Sequence, residues 1–257
     1  FDFIIIGAGT AGCLLADRLT KSGMHSVLVL EAGGSDRRFM VRMPIGYGHS
    51  FYNPGVNWMY WTPPQAALAG RKVYQPRGKV LGGSSSINAM VYIRGQREDY
   101  DHWAACGNPG WSFDDVLPYF VRAEHNERGP GALHGQGGPL NVMDLRSPNR
   151  FSAAFIEAAV QAGYPRNGDF NGPTQEGMGP YQVTHRDGER FSAAKAYLDP
   201  HRSPAGRHGR DHRRARHPTG HPGPPGTAAG RRRRPHEGDR HRPAHDRHRA
   251  QRPAARG

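Results

Sequence analysis

Short apolar runs and one amphipathic stretch alternate along the first thirty residues. Residues 1–6 (FDFIII) form an apolar run that ends at a glycine, which predicts a buried parallel strand. Residues 10–22 carry alanines and leucines at helical spacing, and Gly23 follows them as a typical helix stop. A second apolar run, residues 27–30, is closed by Glu31. The chain is therefore predicted to open with a compact strand–helix–strand unit.

Beyond this unit the periodic segments are shorter. Residues 32–77 are rich in Gly, Pro and aromatic residues with little periodicity, so we expect irregular structure of the kind that often covers a cofactor. Residues 78–94 begin rich in glycine and become apolar, and residues 164–190 are predicted to be loops. Helices are predicted over 98–102, 113–124 and 152–162, with Ser112 or Asp114 as the cap of the second, and another short element over 191–198.

A glycine motif follows the first predicted strand. Gly7-Ala8-Gly9-Thr10-Ala11-Gly12 has the spacing G-x-G-x-x-G, opens the predicted helix, and is followed nineteen residues after Gly12 by Glu31. This context is typical of a dinucleotide-binding unit. Gly7 permits a tight turn, Gly9 lets a pyrophosphate approach the backbone, and Gly12 lets the helix pack closely on the sheet.

The same unit narrows the range of nucleotides that it would hold. A helix N-terminus offers unpaired N–H groups and the positive end of its dipole to phosphates. The Glu31 carboxylate can accept hydrogen bonds from ribose hydroxyls and would repel a 2′-phosphate, which argues against NADP. The motif by itself does not distinguish FAD from NAD, so an NAD-binding Rossmann dehydrogenase is one alternative.

A second glycine motif occupies residues 77–95, RGKVLGGSSSINAMVYIRG. Gly82 and Gly83 allow positive φ and close backbone approach. The serines at 84–86 supply hydroxyls and successive backbone N–H groups that can form an anion-binding nest, or they satisfy only local backbone groups. Asn88 is expected to bind the ligand, although it could cap a turn. The apolar run after it suits a flat aromatic ring system.

This stretch resembles the first signature of the glucose–methanol–choline (GMC) oxidoreductases, in particular their bacterial choline-dehydrogenase-like branch. The resemblance covers about residues 1–200. Similar residues stand in the expected order on both sides of the motif: Glu31-Ala32-Gly33-Gly34, Asn57-Trp58, Thr62-Pro63-Pro64-Gln65, Tyr100-Asp101-His102-Trp103, Gly110-Trp111, Leu117-Pro118-Tyr119-Phe120 and Gly137-Gly138-Pro139-Leu140.

The resemblance implies an α/β fold: a three-layer, Rossmann-like FAD-binding domain with the beginning of an α+β substrate domain. It also implies oxidation of choline or another primary alcohol, with hydride transfer to flavin N5. Ile87 stands where some members tether FAD through a histidine, so noncovalent FAD is expected. The implied cofactor-binding residues are Gly7, Gly9, Thr10, Ala11, Gly12, Glu31 and Ala32 for the ADP half, and Arg77, Val80, Gly82, Gly83, Ser84, Asn88, Ala89, Met90 and Val91 around the flavin and pyrophosphate.

The resemblance assigns no catalytic residue to this chain. The family's catalytic histidine belongs to a part of the sequence that has no counterpart here, and no histidine before residue 200 matches its position. We therefore expect the chain to behave as a truncated, inactive piece. The four tryptophans, Trp58, Trp61, Trp103 and Trp111, are expected to pack in core and loops rather than form a cage for a quaternary ammonium.

Composition changes abruptly near residue 200. Residues 201–257 contain sixteen arginines against four acidic residues and so carry nearly all of the formal net charge of +13. They contain no Ile, Leu, Val, Met or aromatic residue, which predicts disorder. Arginine without lysine, and the joint loss of Phe, Leu, Ile, Met and Val, suggest GC-rich DNA translated out of frame. The alternative is a basic nucleic-acid-binding tail, against which stands the lack of aromatic residues for stacking.

The sequence predicts three regions: an FAD-binding domain over 1–145, the start of a substrate region over 146–200, and the basic tail over 201–257. Two cysteines are too few for a disulfide framework, and no signal peptide, membrane span or metal site is predicted. We expect a cytoplasmic protein with a small-molecule alcohol as partner and no specific nucleic acid. Peripheral membrane association through a quinone acceptor, the identity of the acceptor and the oligomeric state stay open.

Overall fold

A computed structural model describes residues 1–201 of the chain. Its strands are β1 (Phe3–Ile6), β2 (Val27–Leu30), β3 (Tyr60–Trp61), β4 (Tyr74–Gln75), β5 (Glu124–Asn126), β6 (Leu140–Val142), β7 (His185–Arg186) and β8 (Glu189–Arg190). Its α-helices are α1 (Thr10–Thr20), α2 (Phe39–Arg42), α3 (Tyr47–Ser50), α4 (Arg97–Ala105), α5 (Phe113–Ala123) and α6 (Arg150–Gln161). The basic tail that is predicted to be disordered lies, from residue 202 on, outside the described residues.

The predicted opening unit is confirmed. Strands β1 and β2 are parallel, with Phe3 opposite Val27 and Ile6 opposite Leu30. Helix α1 connects them and is followed by Gly23 at φ +72°, a conformation that glycine adopts without steric cost. One side of α1 is buried through Gly12, Cys13 and Ala16, as its apolar periodicity requires.

The prediction that the first strand is buried is wrong. Ile4 is 62% exposed and Ile6 is 88% exposed, although both are the kind of residue that fills the centre of a parallel sheet. The physical reason is that, within residues 1–201, the sheet that contains β1 has β2 as its one other strand, which leaves much of this sheet uncovered. The expected three-layer arrangement stays a prediction.

The segment between β2 and the second glycine motif is irregular, as expected. It contains the single turns α2 and α3 and the two-residue antiparallel pair of β3 with β4. A 3-10 turn spans Gly83–Ser86 inside the second motif. Val41, Val56, Val80 and Ile87 come together from these pieces as one buried cluster. The irregular segment is thus anchored to the second motif by its own small core.

The helices of the second half match their predicted positions. Helix α4 is longer than expected, and α5 begins after Ser112, whose hydroxyl oxygen accepts the backbone N–H of Asp115 in a capping box. Helix α6 has Gly163 after its end at φ +97°. The parallel pair β5–β6 and the antiparallel hairpin β7–β8 were not predicted, because strands of two or three residues show no alternation.

Two further expectations can be compared with the fold. All four tryptophans are more than 40% exposed, so the core part of the prediction of core and loop packing is wrong. They contact other rings at the surface: Trp58 stacks on Tyr60, and Trp103 is tilted against Trp111. None of the helices in residues 1–201 is long and apolar enough to cross a membrane. The boundary proposed at residue 145 stays a prediction.

Candidate functional site

The loop from β1 into α1 is built around three glycines. Gly7 has φ +96°, and its N–H donates to the carbonyl of Leu30 at 2.7 Å. A Cβ on Gly12 would lie 2.0 Å from the carbonyl oxygen of Gly7, so no other residue fits there. A Cβ on Gly9 would meet nothing within 4 Å, so the space beside it is open. The predicted roles of Gly7 and Gly12 match this geometry.

The N-terminus of α1 is free to receive an anion. Its cap residue is Gly9, no side chain of residues 1–201 caps it, and no acidic residue stands in its first turn. The first N–H groups of a helix lack partners within the helix, and its dipole favours negative charge there. Thr10 and Ala11 are exposed at this end. A pyrophosphate therefore suits the donors that this loop presents.

Glu31 closes the same loop from the second strand. One carboxylate oxygen accepts the N–H of Ala8 at 2.8 Å, and the other accepts the N–H of Gly33 at 2.8 Å. The side chain is partly buried and lies directly beside the first glycine motif. Each carboxylate oxygen has a second lone pair, so the fixed carboxylate can still accept a hydroxyl of a ribose.

The second glycine motif packs directly on the first. The N–H of Gly82 donates to the carbonyl of Ala8 at 2.7 Å, and a Cβ on Gly83 would lie 2.7 Å from the Cα of Gly9. Gly82 and Gly83 have φ +87° and +56°. The structure therefore brings together the two motifs that the sequence singled out, and at Gly83 their close approach requires a residue without a side chain.

The stretch after Glu31 joins the same contact. Gly34 and Val80 form a parallel bridge, and the N–H of Leu81 donates to the carbonyl of Gly34 at 3.0 Å. A Cβ on Gly33 would lie 2.1 Å from the backbone of Lys79. The end of the second strand, the first loop and the second motif thus form one continuous surface.

The three serines mainly satisfy local backbone groups. Ser85 donates to the carbonyl of Gly82 at 2.6 Å, and Ser86 donates to that of Leu81 at 2.6 Å. Ser84 accepts the N–H of Gly78 at 3.1 Å and is exposed, which leaves its own hydroxyl proton available to a ligand. Of the two interpretations of these serines, the structure supports the local one for Ser85 and Ser86.

The remaining candidates lie in different surroundings. Val80 is fully buried in the valine–isoleucine cluster, so its side chain has a core role. Arg77 and Ala32 are exposed, and the Arg77 guanidinium donates to the neighbouring carbonyl of Pro76. Asn88 is exposed as well. Met90 is buried at φ +63°, a left-handed conformation that is uncommon outside glycine.

A large cavity begins where the second motif ends. It has a volume of about 1170 Å³ and is lined mainly by apolar side chains. Its lining includes Ala89, Met90, Val91, Phe151, Phe155 and His185. Burial and the nearby Arg190 lower the pKa of His185 below its ordinary value of 6.5, which favours the neutral imidazole. The cavity is therefore a mainly apolar space. Its wall includes Ala89, Met90 and Val91, which the sequence predicts to lie around the flavin.

Arg190 is a site residue that sequence reasoning missed. It is 2% exposed, and its guanidinium donates to the side-chain oxygen of Asn88 at 2.7 Å and to the carbonyl of Ser85 at 3.1 Å. A single arginine in a stretch predicted to be loop carries no pattern that could have marked it. Ala193 and Ala194, in the short element predicted over 191–198, were missed as well, although they pack beside Ala8 in one buried cluster.

Residues 1–215 match the model of the GMC oxidoreductase family. An oxygen-dependent choline dehydrogenase from Photobacterium profundum is 48% identical over 203 residues, which cover 77% of this chain and 35% of that protein. The chain thus spans about a third of the length of such curated relatives.

Solved structures agree with this assignment. Pyridoxine 4-oxidase from Mesorbium loti superimposes with a TM-score of 0.73 at 35% identity, over 80% of this chain and 40% of that one. An FAD-dependent oxidoreductase from Chaetomium thermophilum gives a TM-score of 0.69 at 33% identity, over 78% of this chain and 36% of that one. With the family model covering most of its length, this chain belongs to the GMC oxidoreductase family.

Proposed function

We propose that this chain is the FAD-binding portion of an oxidoreductase that acts on the CH–OH group of choline or another primary alcohol. The observation that carries the proposal is the contact between the two glycine motifs, Gly82 N–H to Ala8 carbonyl at 2.7 Å, beside an uncapped helix N-terminus and the Glu31 carboxylate. FAD, when bound, supplies the acceptor for a hydride from the alcohol carbon.

The residues of the chain have distinct tasks in this proposal. The N-terminus of α1 binds the pyrophosphate, because its first N–H groups have no capping side chain. Glu31 orients the adenosine ribose, and Gly9 leaves the open space that the phosphates need. Ala89, Met90 and Val91 form part of the wall of the mainly apolar cavity, beside which the alcohol would bind.

Noncovalent binding of FAD is part of the proposal. Ile87 is 1% exposed and packs with Val41, Val56 and Val80, so the position before Asn88 offers neither a nucleophile nor access to one. Acid precipitation of the loaded protein is expected to release all of the flavin into the supernatant. Yellow colour that stays with the precipitate would contradict noncovalent binding.

Equilibrium binding of FAD to the 257-residue chain tests the proposal. The quenching of flavin fluorescence measures the binding, and NAD⁺ is added as a competitor. We expect binding that NAD⁺ does not displace and that Gly12→Ala abolishes, because the new Cβ would lie 2.0 Å from the Gly7 carbonyl oxygen. Gly131→Ala, where the new Cβ meets nothing within 4 Å, is the control and should bind like the wild type. Displacement by NAD⁺ would favour an ordinary dehydrogenase instead.

The reaction is tested separately from binding. Addition of choline or another primary alcohol to the FAD-loaded chain without oxygen would bleach the 450 nm band if the flavin were reduced, a general property of flavins. We expect no bleaching by this chain, since no residue among 1–201 matches the family's catalytic histidine. Bleaching would show that the chain carries a base of its own.

A further inference from the structure

Asn88 is held in one orientation by two donors. Its side-chain oxygen accepts the guanidinium of Arg190 at 2.7 Å and the backbone N–H of Met90 at 3.1 Å. Neither partner can accept a hydrogen bond, so the amide cannot be turned around without placing its NH₂ group against two other donors. The oxygen of Asn88 therefore faces inward, and its NH₂ group is left for something else.

Arg190 is itself held firmly in place. Its Nε donates to the carbonyl of Val41 at 3.0 Å, and one terminal nitrogen donates both to the carbonyl of Ser85 and to Asn88. The other terminal nitrogen is buried and has no hydrogen-bond partner among the described residues. Through these contacts one guanidinium joins α2, the 3-10 turn over Gly83–Ser86 and Asn88. The planar geometry of the guanidinium allows it little movement.

The acceptors that this guanidinium has within residues 1–201 are two carbonyls and one amide oxygen, and none is a carboxylate. The adjacent Glu189 is instead bound by Lys195 and Arg42. Desolvation lowers the pKa of Arg190 to about 10, and the group is still charged at neutral pH. A buried charge polarises the neutral groups that bind it. The NH₂ group of the Asn88 amide therefore becomes a stronger hydrogen-bond donor.

We propose that Arg190 is a positioning residue that presents the NH₂ group of Asn88 as a fixed hydrogen-bond donor to an acceptor atom of the flavin ring. This rests on the proposed function, because Asn88 is exposed beside the cavity that Ala89, Met90 and Val91 line. The flavin ring carries carbonyl oxygens and unprotonated nitrogens that such a donor suits. Arg190 does not touch the flavin in this arrangement and acts through Asn88.

The substitution that tests the orientation is Asn88→Asp. A carboxylate keeps the oxygen that faces Arg190 and Met90 N–H and adds a charge that pairs with the buried guanidinium, but it turns the outward donor into an acceptor. Asn88→Ala removes both the oxygen that faces Arg190 and the outward donor. The melting temperature of the chain without FAD is expected to follow the order Asn88→Asp, wild type, Asn88→Ala, from highest to lowest.

Affinity for FAD is expected to follow a different order. Both Asn88 variants lose the outward donor and should bind FAD at least tenfold more weakly than the wild type, although one is more stable and the other less. Arg190→Met should weaken the affinity for FAD in the wild-type background. In the Asn88→Ala background the same substitution should weaken this affinity by less than a further twofold, because Arg190 acts through Asn88.

Each outcome bears on a separate claim. Wild-type affinity of Asn88→Asp for FAD, or equal effects of Arg190→Met in both backgrounds, would overturn the positioning role. A lower melting temperature of Asn88→Asp than of Asn88→Ala would overturn the orientation of the amide. A wild-type chain that melts cooperatively and binds no FAD would refute the proposed function, whereas the melting order would still decide how Arg190 holds Asn88.

Discussion

The N–H of Gly82 donates a 2.7 Å hydrogen bond to the carbonyl oxygen of Ala8, and this bond joins two motifs that are far apart in the sequence. Ala8 is completely buried, and its own N–H is bound by Glu31. The carbonyl of Ala8 therefore binds the second glycine motif, and its N–H binds Glu31 at the end of the second strand. Ala8 therefore positions the first glycine loop, the Glu31 carboxylate and the second glycine motif relative to one another.

Gly83→Ala is expected to disrupt this contact. The residue has φ +56°, and a Cβ would lie 2.7 Å from the Cα of Gly9. Backbone strain at positive φ costs ~1–2 kcal/mol, and the steric contact adds to it. The free energy of unfolding in urea should therefore fall by more than in the control Gly70→Ala, where φ is +75° and the Cβ meets nothing within 4 Å. Equal losses would show that the motifs do not touch.

Gly33→Ala is expected to separate the end of β2 from the second motif. Its Cβ would lie 2.1 Å from the backbone of Lys79, which cannot move aside as a side chain can. The melting temperature and the affinity for FAD should both fall. At the neighbouring Gly34 a Cβ would meet only the flexible end of Arg38 at 3.3 Å, so Gly34→Ala should change both far less. The reverse order would contradict the described packing.

Glu124→Gln is expected to be the most destabilising conservative change away from the nucleotide site. Glu124 is fully buried, binds Arg94 at 2.7 Å, and accepts the N–H of Gly135 at 2.9 Å. Loss of one partner of a buried ion pair leaves the other charge uncompensated and costs ~3–5 kcal/mol. Urea unfolding measures this loss. Asp114→Asn removes the fully exposed pair with Arg97 and should leave the stability within experimental error.

The stability of the chain is expected to fall, in part through His185, as the pH drops below the ordinary histidine pKa of about 6.5. Burial, together with Arg190, lowers the pKa of this imidazole, so the folded state favours its neutral form. The contribution is full above the unfolded pKa of about 6.5 and is lost as the pH falls through the lower folded value. Thermal unfolding of His185→Gln should show a flatter pH dependence. An unchanged slope would exclude His185 as the cause.

The opening unit could be predicted because its signals are local. The apolar runs over residues 1–6 and 27–30, the helical spacing between them and the glycines at 7, 9 and 12 each follow from short-range sterics and periodicity. The capping role of Ser112 is local as well. The same local rules placed every helix of eight residues or more within a few positions of its observed bounds.

The rest depends on contacts that a single sequence does not display. Nothing in the sequence pattern shows that Ile4 and Ile6 are exposed, since exposure depends on which other strands and helices cover the sheet. The link between Arg190 and Asn88 arises from folding distant segments onto each other. The strands β7 and β8 are too short for an alternating pattern to appear.

The most direct measurement is an experimental structure of the chain with FAD bound. We expect the pyrophosphate at the N-terminus of α1 and a ribose hydroxyl of the adenosine within ~2.6–3.2 Å of a Glu31 carboxylate oxygen. A nucleotide that lies elsewhere, or a ribose out of reach of Glu31 while the two glycine motifs remain in contact, would contradict this expectation.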